Sequence, residues 1–171
     1  QRPGWLRLTT GRVDSDLCRV RNTLTQRTFG PQCSAGVAID TSNMKDGDLA
    51  GLGAFQRKYG FVAVKKAGAA SSIVMMKVEG DAPVEVESVR LDGKLVMLKV
   101  ECDFRNRVDK ALFFYSLDGE KWTGIGSPLK MVYTLPHFMG YRFALFNFAT
   151  KTAGGFADFD YFRVSDKPGG N

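Results

Sequence analysis

Eleven short stretches rich in β-branched and aromatic residues run through this sequence, and no part of it keeps a convincing helical period. They are WLRLTT, CSAGVAID, LAGLGAFQ, GFVAVKK, SIVMMKVE, VEVESVRLD, KLVMLKVECD, KALFFYSL, MVYT, YRFALFNFA and ADFDYFRV. Turn signals such as MKDGD, RKYG, EGDAP and KTAGG lie between them. Many short strands at near-regular spacing predict an all-β chain, antiparallel, folded as a sandwich or barrel. Two Asp-Gly turns, Leu91-Asp92-Gly93 and Leu117-Asp118-Gly119, are read as hairpins, because Gly supplies the positive φ that a tight turn requires. Shared parity within alternating strands places Val96, Leu98, Val100, Leu112, Phe114, Ala144, Phe146 and Phe162 among the inward residues.

The 171 residues suffice for one hydrophobic core, and 44% of them are hydrophobic, which excludes a disordered chain. Residues 1–166 are read as a single module and 167–171 as a flexible tail or the start of a linker. No uncharged run approaches the ~20 residues of a membrane helix. The net charge of +6 invites a nucleic-acid partner, but Lys and Arg are spread along the chain with acids interleaved, so a solvated mixed surface is expected instead, with no nucleic acid and no membrane as partner.

Catalytic patterns are missing. The single histidine, His137, has no nucleophile-elbow pattern beside it, His and Cys are too few for zinc, and no glycine-rich phosphate loop opens a helix. Two carboxylates suffice for glycoside hydrolysis, yet the 18 acids single out no pair. Cys18 and Cys33 are close enough in sequence to suggest a disulfide, whereas Cys102 continues the apolar series Val96, Leu98, Val100 as a buried thiol.

The ordered set VRNTLTQRTFG, AIDTSNMKDGDLAGLGAFQRKYGFVAVKK, ALFFYSLDGEKW and ADFDYFRV resembles the β-sandwich module at the C-terminal end of glycoside hydrolase family 43 β-xylosidases and arabinofuranosidases, over about residues 5–166. The resemblance implies an antiparallel two-sheet jelly-roll of the concanavalin A-like type. It also implies an accessory role on xylan or arabinoxylan, secreted or periplasmic, beside a catalytic domain that this chain lacks. The alternative is a structural module that docks on the catalytic domain and touches no sugar.

Within that resemblance, Gln26 and Arg27 form a donor set for sugar hydroxyls or, equally, structural hydrogen bonds between strands. Tyr59, Trp122 and Tyr141 are the candidate stacking platforms, since a ring offers flat apolar area to the C–H face of a sugar; for Trp122 the other reading is a cover over the sandwich edge. Phe138 resembles the loop residue that closes the catalytic pocket in related enzymes. Asp160 is placed inward on the last strand, where the resemblance implies one structural calcium; pairing with backbone N–H groups or an arginine is the other reading.

Overall fold

The protein is described here by a computed structural model covering residues 2–133 and 139–169. Alternation of apolar and polar residues at period two yields thirteen strands: β1 (Leu6–Thr9), β2 (Thr23–Arg27), β3 (Gln32–Asp40), β4 (Asp48–Phe55), β5 (Gly60–Ala67), β6 (Ala70–Glu79), β7 (Ala82–Leu91), β8 (Leu95–Asp103), β9 (Lys110–Ser116), β10 (Thr123–Gly124), β11 (Leu129–Lys130), β12 (Arg142–Ala149) and β13 (Phe156–Ser165). Two antiparallel sheets result. The first runs β1-β13-β3-β8-β9-β10, with β11 also on β9, and the second runs β2-β12-β4-β5-β6-β7.

The core lies between the sheets. Cys33, Ala35, Val37, Ile39, Val96, Leu98, Val100, Phe113 and Phe159 face it from the first sheet, and Leu52, Val62, Val64, Ile73, Met75, Phe143 and Leu145 from the second. A second apolar cluster covers the other face of the second sheet. There Leu49, Phe61, Ala63, Val74, Phe146 and Phe148 are buried beneath Leu17 and Tyr59. The cover is a 3-10 turn, Leu17–Arg19, whose Asp16 cap accepts the Cys18 N–H. Strands β4, β5 and β12 are therefore apolar on both faces, which explains why LAGLGAF and RFALFNFA lack clean alternation.

Several expectations change on this frame. In β9 the inward residues are Ala111 and Phe113, because Val100 pairs with Phe113 while Phe114 pairs with the outward Lys99; Leu112 and Phe114 are half-buried on the far side. Ala144 and Phe146 are buried, but Phe146 belongs to the second cluster. A register shift in β13 between Phe159 and Phe162 leaves Phe162 37% exposed. Leu91-Asp92-Gly93 is no hairpin: β7 ends in one sheet and β8 begins in the other, so this turn is a crossover. Leu117-Asp118-Gly119 does join paired strands, β9 and β10. Cys18, Cys33 and Cys102 are all free, and Cys33 stands opposite Cys102 in the β3–β8 register, away from Cys18.

Candidate functional site

A cleft of about 370 Å³ opens on the outer face of the first sheet. Its floor is part of one cross-strand row, Arg163 on β13, Gly36 on β3 and Lys99 on β8, which continues beyond the cleft through Phe114 on β9 to Gly124 on β10. Gly36 leaves the hollow. A Cβ there would meet only the Leu98 carbonyl oxygen, at 3.8 Å. Trp122 and Gly119 wall one side and Tyr161 the other.

Local sequence fixes both walls. Asp118 accepts the Ser116 hydroxyl and the Glu120 and Lys121 N–H groups, at 2.8–2.9 Å, and Gly119 takes a φ of +83°. These donors hold the Asp118 carboxyl below the usual carboxylate range. The turn so pinned delivers Trp122 onto the sheet, where the Lys99 ammonium lies 4.6 Å from its ring and 2.9 Å from the Glu101 carboxylate. Across the cleft the Arg163 guanidinium stacks 4.4 Å from the Tyr161 ring. Burial pushes the Tyr161 phenol above its ordinary value, against the pull of Arg163. The cleft thus combines two half-buried rings, two cations and a stretch of bare backbone at Gly36, an arrangement suited to binding a ring-shaped polar ligand.

The other residues singled out in the sequence lie elsewhere. Gln26 and Arg27 are exposed on β2, an edge of the second sheet, opposite Phe143 and Arg142. Tyr59 and Tyr141 are not platforms, because both side chains are buried. Tyr59 stacks between Phe55 and Phe61 and donates its hydroxyl to Asp16 at 3.2 Å; burial raises its phenol well above the ordinary value. Tyr141 donates to the Lys58 carbonyl at 2.7 Å from within the main core. Phe138, with His137, lies outside the described residues.

The acid turned away from solvent in the last strand is Asp158, not Asp160. Asp158 is buried and holds the Arg7 fork at 2.7 and 2.8 Å, whereas Asp160 is exposed. Among the described residues no group of three or more His, Cys, Asp or Glu side chains converges to hold a metal. Burial pushes the Cys18 thiol up to about 11, which keeps it protonated and a poor nucleophile. Lys99, Arg163, Tyr161 and Gly36 were not singled out in the sequence. One signal for Lys99 existed: it sits between Leu98 and Val100 at the outward parity of a strongly alternating strand.

Comparison with known proteins gives a consistent result. The family described as Beta xylosidase C-terminal Concanavalin A-like domain matches residues 1–165. A β-xylosidase of Formosa agariphila is 27% identical over 184 residues, covering 95% of this chain and 30% of that protein. A bifunctional GH43-CE protein of Bacteroides eggerthii superposes with a TM-score of 0.96 at 58% identity, covering 98% of this chain and 22% of that one. A GH43 glycoside hydrolase engineered to display endo-xylanase and exo-arabinofuranosidase activity superposes with a TM-score of 0.87 at 29% identity, over 95% of this chain and 34% of that one. The chain spans about a third or less of the length of each.

Proposed function

Because this chain belongs to the family of C-terminal concanavalin A-like domains of β-xylosidases, we propose that it is the non-catalytic accessory module of a family 43 glycoside hydrolase and that it binds xylan-type polysaccharide. The observation that carries sugar contact is the cleft between Trp122 and Tyr161 over Gly36. Sugar rings present an apolar C–H face, and two rings beside a floor left open at Gly36 match it at low entropic cost. The polymer lies outside the cytoplasm, so the module works secreted or in the periplasm. Affinity electrophoresis through gels containing xylan or arabinoxylan tests the reading. The chain is expected to be retarded and Trp122→Ala to migrate freely; equal mobility with and without polysaccharide would sink it.

A second reading, docking on a catalytic domain without sugar contact, is favoured by a different surface. Tyr133 and Met139, 65% and 58% exposed, flank residues 134–138, with Val132 beside them. Exposed apolar side chains so grouped suit burial by a partner. Titrating a separately produced family 43 catalytic domain with this chain tests it: docking alone predicts complex formation that Tyr133→Ala weakens, and no retardation of the chain in polysaccharide gels.

A further inference from the structure

We propose that the Gly36 cleft selects an acidic sugar, a uronate-bearing saccharide whose carboxylate is gripped by Arg163 while its ring lies over Gly36 against Trp122. The inference rests on the sugar-binding reading above and narrows it to a substrate class. The argument begins with the cross-strand row. Arg163 and Lys99 stand on the two strands that flank β3, in register with Gly36, and so two strand spacings, roughly 9–10 Å, separate their Cα atoms. Two cations directed to one face flank a residue without a side chain, where a sheet ordinarily places a neutral or oppositely charged neighbour.

The two cations are not equivalent. The Lys99 side chain is only 8% exposed; Glu101 neutralises it at 2.9 Å and Trp122 lies over it, so its part is to steady the indole. Glu101 in turn accepts the Gly169 N–H at 2.9 Å. Arg163 is exposed, and its side chain stacks on the Tyr161 ring. Stacking on a ring leaves the edge of a guanidinium, where all its N–H donors lie, open to a ligand. That planar fork matches a carboxylate through two parallel hydrogen bonds, whereas a hydroxyl can use only one of them. Glu101, paired with Lys99, keeps the ligand carboxylate from the Lys99 end and leaves Arg163 as its partner.

Isothermal titration of the whole chain decides the matter with two ligands: a xylo-oligosaccharide carrying one uronic acid residue, and the same oligosaccharide with that carboxyl reduced to the alcohol. The acidic ligand is expected to bind about tenfold tighter. Arg163→Gln should lower its affinity to that of the reduced ligand and leave the reduced ligand's own affinity unchanged. Gly36→Ala, whose methyl has room in the fold but protrudes into the cleft, should weaken both ligands without moving the melting temperature. Equal affinity for the two ligands, or an Arg163→Gln protein that still prefers the acid, overturns the inference and leaves sugar stacking intact. Failure of both ligands to bind the unaltered chain overturns the inference and the sugar-binding reading together.

Discussion

At the scale of single residues, two neighbours in β9 separate what sequence parity can and cannot decide. KALFFYS is apolar at both parities, so the core position is set by pairing: Phe113 opposes the inward Val100 and is buried, while Phe114 opposes Lys99 and is half-buried. We expect Phe113→Ala to cost roughly 3–5 kcal/mol and Phe114→Ala about 1 kcal/mol, read from urea unfolding midpoints. The reverse order would mean that the register is wrong. Tyr59 teaches a related lesson, since nothing in QRKYGF announces that the segment around Leu17, some forty residues earlier, folds down to bury its ring. Asp48 gives a prediction in pH. It is fully buried, and burial raises its carboxyl above the ordinary value even though Oδ2 accepts the Lys45 N–H at 2.7 Å. A raised value means that the fold prefers the protonated acid: the associated stability is complete below the unfolded value of about 3.9 and is lost as pH rises through the folded one. Asp48→Asn retains an acceptor for Lys45 and removes the charge. Its melting temperature at pH 7 should therefore exceed that of the parent, with the difference shrinking toward pH 4; a lower melting temperature at pH 7 would refute this account.

At the scale of elements, most strands were legible because β-branched and aromatic residues alternate between clear turns, but their partners were not. Leu91-Asp92-Gly93 and Leu117-Asp118-Gly119 look alike in sequence, yet the first carries the chain across the sandwich and the second turns it within one sheet. A short turn reports a change of direction; which sheet receives the next strand depends on contacts far away in the chain. For the same reason Trp122, one turn from its strand, was found in the sequence, while its cleft partners Gly36, Lys99 and Arg163 were missed. Their common row exists only through the registers of β13, β3 and β8. The edge strand β1 illustrates how a polar pair locks such a register. Arg7 and Asp158 are directly opposed in the β1–β13 pairing, and the buried carboxylate takes both arms of the fork. Arg7→Gln leaves that carboxylate short of donors. Hydrogen exchange should then show lost amide protection across Leu6–Thr9 with β8 unaffected, and unchanged protection in β1 would show that the ion pair does not hold the edge.

At the scale of the whole molecule, the fold class and the family were both readable, because apolar alternation and the ordered segments extend over nearly the entire chain. The chain is about a third or less of its relatives' length, and its buried acids, Asp48 and Asp158, are engaged by a backbone N–H and by Arg7 rather than facing each other across a cleft. We therefore expect no turnover of aryl xylosides or arabinosides by the purified chain; activity that scales with its concentration through repeated purification would refute this. The pairing of first with last strands also sets the order of folding. The run β4-β5-β6-β7 is a meander of sequence neighbours and can assemble as soon as it is synthesised. The central strand β3 has β8 on one side but must wait for β13 on the other, and Arg7 meets its partner across 151 residues. Until the last strand arrives, β3 offers an open hydrogen-bonding edge backed by an apolar face. Folding is then expected to be slow for a chain of this size, in the millisecond-to-second range or beyond, with its greatest exposure to aggregation just before the final strand docks.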